Sequence, residues 1–196
     1  MKKITLSIIA VLAFGFTNAQ ETKFGVKAGL NIANLGGDME DAKSLVGFHV
    51  GGFAEFKLSE KFAIQPELLY SAQGAKGEYS EEGESIELTQ NLGYLNIPVM
   101  AKFYVAEGFS LEAGPQIGFL LNAKEKGEYE GVSLEVDNKD EFKSIDFGVN
   151  FGAGYDFTEN LSAGLRYNLG LSNVYEDSDD YKVNNSVFSI SVGYKF

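Results

Sequence analysis

Apolar and polar residues alternate along most of this 196-residue chain. The last nine residues show it best. Phe188, Ile190, Val192, Tyr194 and Phe196 share one face, and Ser189, Ser191, Gly193 and Lys195 share the other. A period of two marks a strand. One apolar face backed by a small, polar face suits hydrocarbon outside and a polar lumen inside. Seven earlier segments follow the same rule: 23–31, 47–57, 62–73, 92–104, 109–121, 144–157 and 161–171. Their outward sets include Phe24, Val26, Ala28 and Leu30 in the first, and Ile145, Phe147, Val149, Phe151, Ala153 and Tyr155 in the sixth. Each segment has about the length a tilted spanning strand needs. The pattern predicts an all-β fold: an eight-stranded antiparallel up-and-down transmembrane β-barrel closed by the strand that ends at Phe196.

The connections alternate in length. A motif of apolar, small, Glu, variable, apolar and small residues occurs as Leu58–Ala63, Val105–Ser110 and Phe157–Ser162. Three polar residues between alternating runs make a tight hairpin. Between these turns lie polar segments of about a dozen to twenty residues, expected as acidic loops. Short turns at one end and long loops at the other fit a barrel with periplasmic turns and external loops. Aromatics gather at the strand ends beside the turns (Phe56, Phe62, Phe103, Phe109, Tyr155, Phe157, Tyr194, Phe196) and towards the other ends (Phe48, Tyr70, Phe119, Tyr167). These are expected as two interfacial girdles. Pro66, Pro98 and Pro115 fall inside strands, where a missing donor predicts a bulge or an unpaired position and leaves local register open. Inward glycines such as Gly25, Gly51, Gly114 and Gly154 are expected to relieve crowding in a narrow, sharply bent barrel.

The amino terminus adds a targeting signal. Lys2 and Lys3 precede an apolar run from Ile4 to Phe16, then Thr17-Asn18-Ala19-Gln20. This reads as a secretory signal peptide, residues 1–19, cut after Ala19. The barrel domain is then 20–196. No later apolar run approaches the length of a spanning helix, so insertion has to be by strands. The chain has no cysteine, which excludes a disulfide-stapled scaffold. With 16 basic and 28 acidic residues, and both signal lysines removed, residues 20–196 carry a net charge of −14. That surface disfavours nucleic acid as a partner.

Ten ionisable residues fall on inward positions: Lys27, His49, Glu55, Glu67, Lys102, Glu112, Asp146, Asp156, Arg166 and Lys195. Eight strands enclose only enough room for their own side chains, and isolated charge there is costly. The expectation is a lumen network, with Lys27, His49, Glu67, Lys102, Glu112, Asp146, Asp156 and Arg166 as members and Arg166 bridging carboxylates such as Asp146 or Asp156. A conducting pore is the competing interpretation. Catalysis has thin support. His49 is the single histidine, Ser71 is inward on a neighbouring strand, and no G-x-S-x-G, P-loop, dinucleotide or Cys/His metal motif occurs. No catalytic residue, cofactor or metal is expected. The run Glu176-Asp177-Ser178-Asp179-Asp180 has oxygen ligands for a hard cation, but it lacks the glycine and spaced glutamate of a calcium loop.

The closing Tyr194-Lys195-Phe196, the three repeated hairpins, Phe62-Ala-Ile-Gln-Pro-Glu-Leu-Leu-Tyr70 and Tyr94-Leu-Asn-Ile-Pro-Val99 together resemble the PorT-like, porin-family outer-membrane barrels of Bacteroidetes-type bacteria. The resemblance covers the whole of residues 20–196. It implies an outer-membrane location, with lipid as surrounding partner and insertion by the barrel-assembly machinery reading a terminal strand marked by Tyr194 and Phe196. Both termini are then periplasmic and the long loops extracellular. The resemblance brings no catalytic motif. Two functions compete: a structural or interaction protein with a filled lumen and an unidentified envelope or external partner, and a porin-type passive transporter of small solutes. A soluble lipocalin-like carrier would need an apolar lumen, which the inward set opposes.

Overall fold

Among the described residues nine strands form: β1 Thr22–Gly37, β2 Lys43–Lys57, β3 Phe62–Glu81, β4 Glu84–Ala106, β5 Phe109–Tyr129, β6 Val132–Asp137, β7 Ile145–Asp156, β8 Leu161–Gly170 and β9 Val183–Lys195, with a 3₁₀ turn at Lys139–Glu141. The computed structural model describes residues 22–38, 42–81, 84–129, 132–176 and 181–196. The signal segment expected at 1–19 lies outside them. Eight strands pair antiparallel in the cyclic order β1-β2-β3-β4-β5-β7-β8-β9, and β9 pairs back onto β1 from Gly25↔Lys195 to Gly37↔Val183. The closing strand therefore ends beside the first. β6 lies outside the ring and pairs with β5 alone.

Alternation places side chains as the sequence pattern demands. Phe24, Val26, Leu30, Phe48, Val50, Leu111, Phe147, Phe151, Leu165, Ile190 and Val192 are all exposed on the outer wall. An apolar surface of that extent is untenable in water and fits hydrocarbon. Tyr155 and Phe157 stack edge to face at 5.1 Å near one rim, and Phe48 meets Tyr70 at 5.8 Å towards the other.

Two features differ from the sequence expectation, and a third decides between alternatives it left open. First, two of the polar segments are not loops. β3 and β4 stay paired from Phe62↔Phe103 out to Glu81↔Glu84, and β5 continues to Tyr129 with β6 beside it. Cross-strand hydrogen bonding carries charged residues along once a ladder is running, and composition alone hid this. Second, the repeated turns are not identical. At 58–61 and 157–160 the amides of Leu58 and Phe157 donate to Phe62 O and Leu161 O, both at 2.9 Å. The middle repeat tightens to Glu107-Gly108, with Gly108 at φ 72°, a left-handed conformation that glycine tolerates, and the register slips beside it between Tyr104 and Ala106. Third, of the two alternatives expected at the prolines, the unpaired position is the one found: the β2–β3 ladder skips Pro66, the β3–β4 ladder skips Pro98 and the β4–β5 ladder skips Pro115, and none of the three sits at a bulge. The ladder lapses beside Pro66 and Pro98, yet the register is the same on either side. The shifts occur at Ser44/His49, Gly93/Tyr94 and Tyr104/Ala106. Glycine also has a second use. A methyl group at Gly51 or Gly114 would lie 2.0 Å from a carbonyl oxygen of the neighbouring strand, so strand approach demands glycine there, whereas Gly25 makes room for the Phe53 ring.

Candidate functional site

The interior is built in three tiers between the turn end, where β1 starts and β9 finishes, and the loop end. The tier nearest the turns is ionic. Each of the eight ring strands contributes one charged residue: Lys27, Glu55, Glu67, Lys102, Glu112, Asp156, Arg166 and Lys195. Four are cationic and four anionic, so the layer is neutral. Arg166 grips Glu67 with two parallel bonds of 2.8 and 2.9 Å and reaches Glu112 Oε2 at 3.2 Å. Lys27 Nζ donates to Glu67 Oε1 at 2.7 Å, and Gln65 Nε2 donates to the same atom at 2.7 Å. Lys102 links this group to the next, lying 3.6 Å from Glu112 and donating to Glu55 Oε2 at 2.9 Å. Lys195 then bridges Glu55 at 3.1 Å and Asp156 at 2.9 Å. The Glu67 side chain is wholly buried. Desolvating so many charges is tolerable only because each has an opposite charge and further hydrogen bonds.

The middle tier is polar, and His49 is its single ionisable member. Asn31, His49, Ser71, Asn96, Gln116, Asn150, Asn168 and Ser189, again one from each ring strand, surround a cavity of about 40 Å³. Asn31 is its hub. Its Oδ1 accepts from His49 Nδ1 at 2.8 Å and from Ser189 Oγ at 2.9 Å, and its Nδ2 donates to Ser71 Oγ at 3.0 Å. Asn168 donates to Asn150 Oδ1 and Asn150 donates to Gln116 Oε1, both at 3.2 Å. A second cavity of about 20 Å³ lies on the turn side of Lys27 and Arg166. At roughly 10–15 Å³ per water, these hold a few waters at most. Every buried side-chain nitrogen and oxygen among the described residues has a hydrogen-bond partner. Beyond the ionic tier the turn end opens into a wider vestibule of about 460 Å³, edged by Lys23, Lys57, Glu60, Tyr104 and Glu159.

The third tier, at the loop end, is apolar. Leu35, Ala75, Leu92, Tyr94, Leu120, Ala123 and Val183 point inward from the strands, and Phe142 and Val174 drop in from the connecting segments. Phe142 stacks on Tyr175 at 4.9 Å. The two segments are tied by Lys143 N→Val174 O at 2.8 Å and Glu176 N→Glu141 O at 3.0 Å. Ser172 Oγ donates to Asp146 Oδ1 at 2.6 Å, and Asn185 Nδ2 donates to Asp146 Oδ2 at 3.0 Å.

The candidate residues are thus divided among tiers. Lys27, Glu67, Lys102, Glu112, Asp156 and Arg166 come together in the ionic layer. His49 stands apart in the middle tier. Asp146 does not contact Arg166, and neither does Asp156. The guanidinium pairs with Glu67 and Glu112 instead, because Asp146 lies at the loop end of β7 and Asp156 is held by Lys195. Glu55 and Lys195 are central to the layer, although the candidate network did not include them. The asparagines of the middle tier were missed altogether, since the sequence search weighted charge. Their alternation with outward apolar residues (Asn31 beside Leu30 and Ile32, Asn150 beside Val149 and Phe151) carried the signal.

No curated protein matches the chain in sequence. Among solved structures, it is similar to Ail, the attachment invasion locus protein of Yersinia pestis, at 14% identity and a TM-score of 0.51, over 90% of this chain and 99% of that one. A second structure of that protein, in complex with the heparin analogue sucrose octasulfate, matches equally. Neisserial surface protein A matches at 19% identity and a TM-score of 0.50, with the same coverage. At these identities the likeness concerns the fold. Residues 18–176 match the family model of the outer membrane protein beta-barrel domain, and the chain belongs to that family.

Proposed function

We propose that this outer-membrane barrel is a structural or interaction protein that works through its outer surfaces, with a lumen that passes no solute. The observation behind this reading is the continuous, charge-balanced layer supplied by all eight ring strands, which leaves cavities for only a few waters. Reconstitution into a planar bilayer tests it. The expected trace is flat, and stable unitary currents would establish the porin-type alternative instead. No catalytic role accompanies this reading. The His49 ring nitrogen Nδ1 bonds an asparagine oxygen, not a carboxylate, within a middle tier closed at both ends.

The asymmetry of the connections supports periplasmic turns and termini, with the long hairpins outside. The chain lacks cysteine, so single cysteines at Ser59 and at Leu134 give a clean assay with a membrane-impermeant thiol reagent on intact cells. Labelling should occur at 134 and not at 59. Tyr194 and Phe196, both exposed at the end of β9, are proposed as the signal read by the assembly machinery. Deleting Phe196 should lower the amount of folded barrel in the envelope, and unchanged levels would refute that role. The terminal Tyr194-Lys195-Phe196 and the Asn96-Ile97-Pro98-Val99 segment support placing the chain with the PorT-like branch.

A further inference from the structure

The eight charges of the ionic tier sum to zero, but they are not spread evenly over the space they border. The larger cavity, of about 40 Å³, is lined towards the turn end by Lys27 and Arg166 and by no carboxylate. The smaller one has Glu112 and Asp156 beside Lys27, Lys102 and Arg166, so both signs meet there. Glu67 does not line the larger cavity. Its side chain is wholly buried, and its two oxygens accept from Lys27, Gln65 and Arg166. On the cap side Asp146 is engaged by Ser172 and Asn185 and is not part of the lining either. His49, the remaining titratable group of the lining, donates from Nδ1 to Asn31.

The amides around this cavity are unequally engaged. Asn31 donates to the carbonyls of Phe48 and Ala72 at 3.1 and 3.0 Å, and Asn150 and Asn168 donate within the tier. Gln73 and Asn96 are only 4% and 6% exposed, yet their side chains bond no described residue. Every side-chain nitrogen and oxygen fully enclosed by protein has a partner, so these two amides border the cavity itself. Gln116 accepts through Oε1, which leaves its Nε2 unclaimed. Lys27 has three N–H groups, of which Glu67 takes one; Arg166 has five, of which Glu67 and Glu112 take three. Two cations and the free amides of Gln73, Asn96 and Gln116 thus share one cavity that no carboxylate enters. At low dielectric such a lining favours negative charge over water. We propose that this chamber is a binding site for a monatomic anion, chloride in ordinary salt. Its volume is that of roughly three waters, enough for one halide and a water, whereas a tetrahedral oxoanion such as sulfate is too large. A metal cation is opposed by Lys27 and Arg166. The apolar cap seals the loop end, so the ion binds without crossing, and a flat bilayer trace leaves the site untouched.

The test uses the barrel folded into detergent micelles in sodium chloride, sodium bromide or sodium gluconate at equal ionic strength. Gluconate is too large for the chamber and serves as the inert anion. Crystals grown in bromide should show its anomalous scattering between Lys27, Arg166 and Asn96. In solution the thermal midpoint should be higher in chloride than in gluconate. It should rise by an equal step for each tenfold increase in chloride once the site is filled. Asn96→Leu should move this response to roughly tenfold or more higher chloride, the loss expected for one hydrogen bond to a charged group. Asn96→Asp sets a fixed carboxylate beside the two cations, so it should abolish the response and raise the midpoint in gluconate. Lys61→Gln, at the turn rim outside the chamber, should keep the wild-type response. No bromide in the chamber, or equal midpoints in chloride and gluconate, would overturn the proposal and leave a water cluster only. A chloride response unchanged in both Asn96 variants would overturn it too, by placing the ion elsewhere. If one Asn96 variant fails to fold, the other and the wild-type bromide map still decide.

Discussion

The two ends of the lumen close the same tube by opposite means. At the turn end, eight charges from eight strands neutralise one another, with Arg166 and Lys27 converging on Glu67. At the loop end, Leu35, Leu92, Tyr94, Leu120, Phe142 and Val174 exclude water by packing. The ionic layer is made wholly by ring strands, so it cannot open unless the barrel itself distorts. The apolar cap takes Phe142 and Val174 from connecting segments, so it opens when those segments lift. One end is a permanent cross-brace and the other is a stopper.

The sharpest way to break this contrast is to remove one charge from the brace. Glu67→Leu leaves Lys27 and Arg166 buried without their shared carboxylate, a loss of about 3–5 kcal/mol. Urea unfolding in detergent micelles should show it, and the double variant Glu67→Leu/Arg166→Leu should recover part of the loss, since uncompensated charge is the harm. If the double variant is no better than the single, the layer does not act as a balanced unit. Next in size is Phe142→Ala, expected at roughly 2–4 kcal/mol from lost packing. Its signature should be local: hydrogen exchange should quicken in 138–144 and 171–175 while ring-strand amides stay protected. Uniform loss of protection would show that cap and brace are one cooperative unit. Asp146→Asn weakens the Ser172 and Asn185 bonds that hold the cap segment to β7, for about 1–2 kcal/mol. It should accelerate exchange around Ser172 without changing that of the brace.

The smallest effect belongs outside both ends, at the fully exposed Lys124–Glu135 pair on the β5–β6 hairpin. The Lys124 ammonium beside Glu135 holds that carboxyl below its ordinary value, first through their hydrogen bond and then through charge attraction. Any stabilisation from this pair is present above the unfolded carboxylate's pKa and fades as pH falls through the folded one. Solvent screening leaves it negligible, so Lys124→Gln should not move the melting temperature. A clear shift would mean that the hairpin is braced by its charges more than by its ladder.

The period-two pattern was sufficient for the eight ring strands, their outward faces and ring closure, because each outward residue must meet lipid and each inward one must avoid it. It failed at 74–91 and 122–137, where charged residues dominate the composition and outweighed the short alternating run Val132, Leu134 and Val136. Pairing there is set by hydrogen bonds already established lower in the ladder. The partner of Arg166 was not legible for a related reason. Alternation tells which residues face inward, but the choice among Glu67, Glu112, Asp146 and Asp156 depends on height along the lumen. Height follows from register and strand tilt, which only the closed ring fixes. Glu55 and the asparagine tier gained their meaning in the same way, once eight separate strands had been brought level.

The sequence by itself thus determined a lipid-facing barrel with a polar filling, since the free energy of placing a side chain in hydrocarbon or in the lumen acts on each residue singly. Only the tertiary structure decided that the filling is sorted into an ionic brace, an amide tier and an apolar stopper. That sorting depends on contacts between residues as far apart in the chain as Glu67 and Arg166, whose meeting no local pattern encodes.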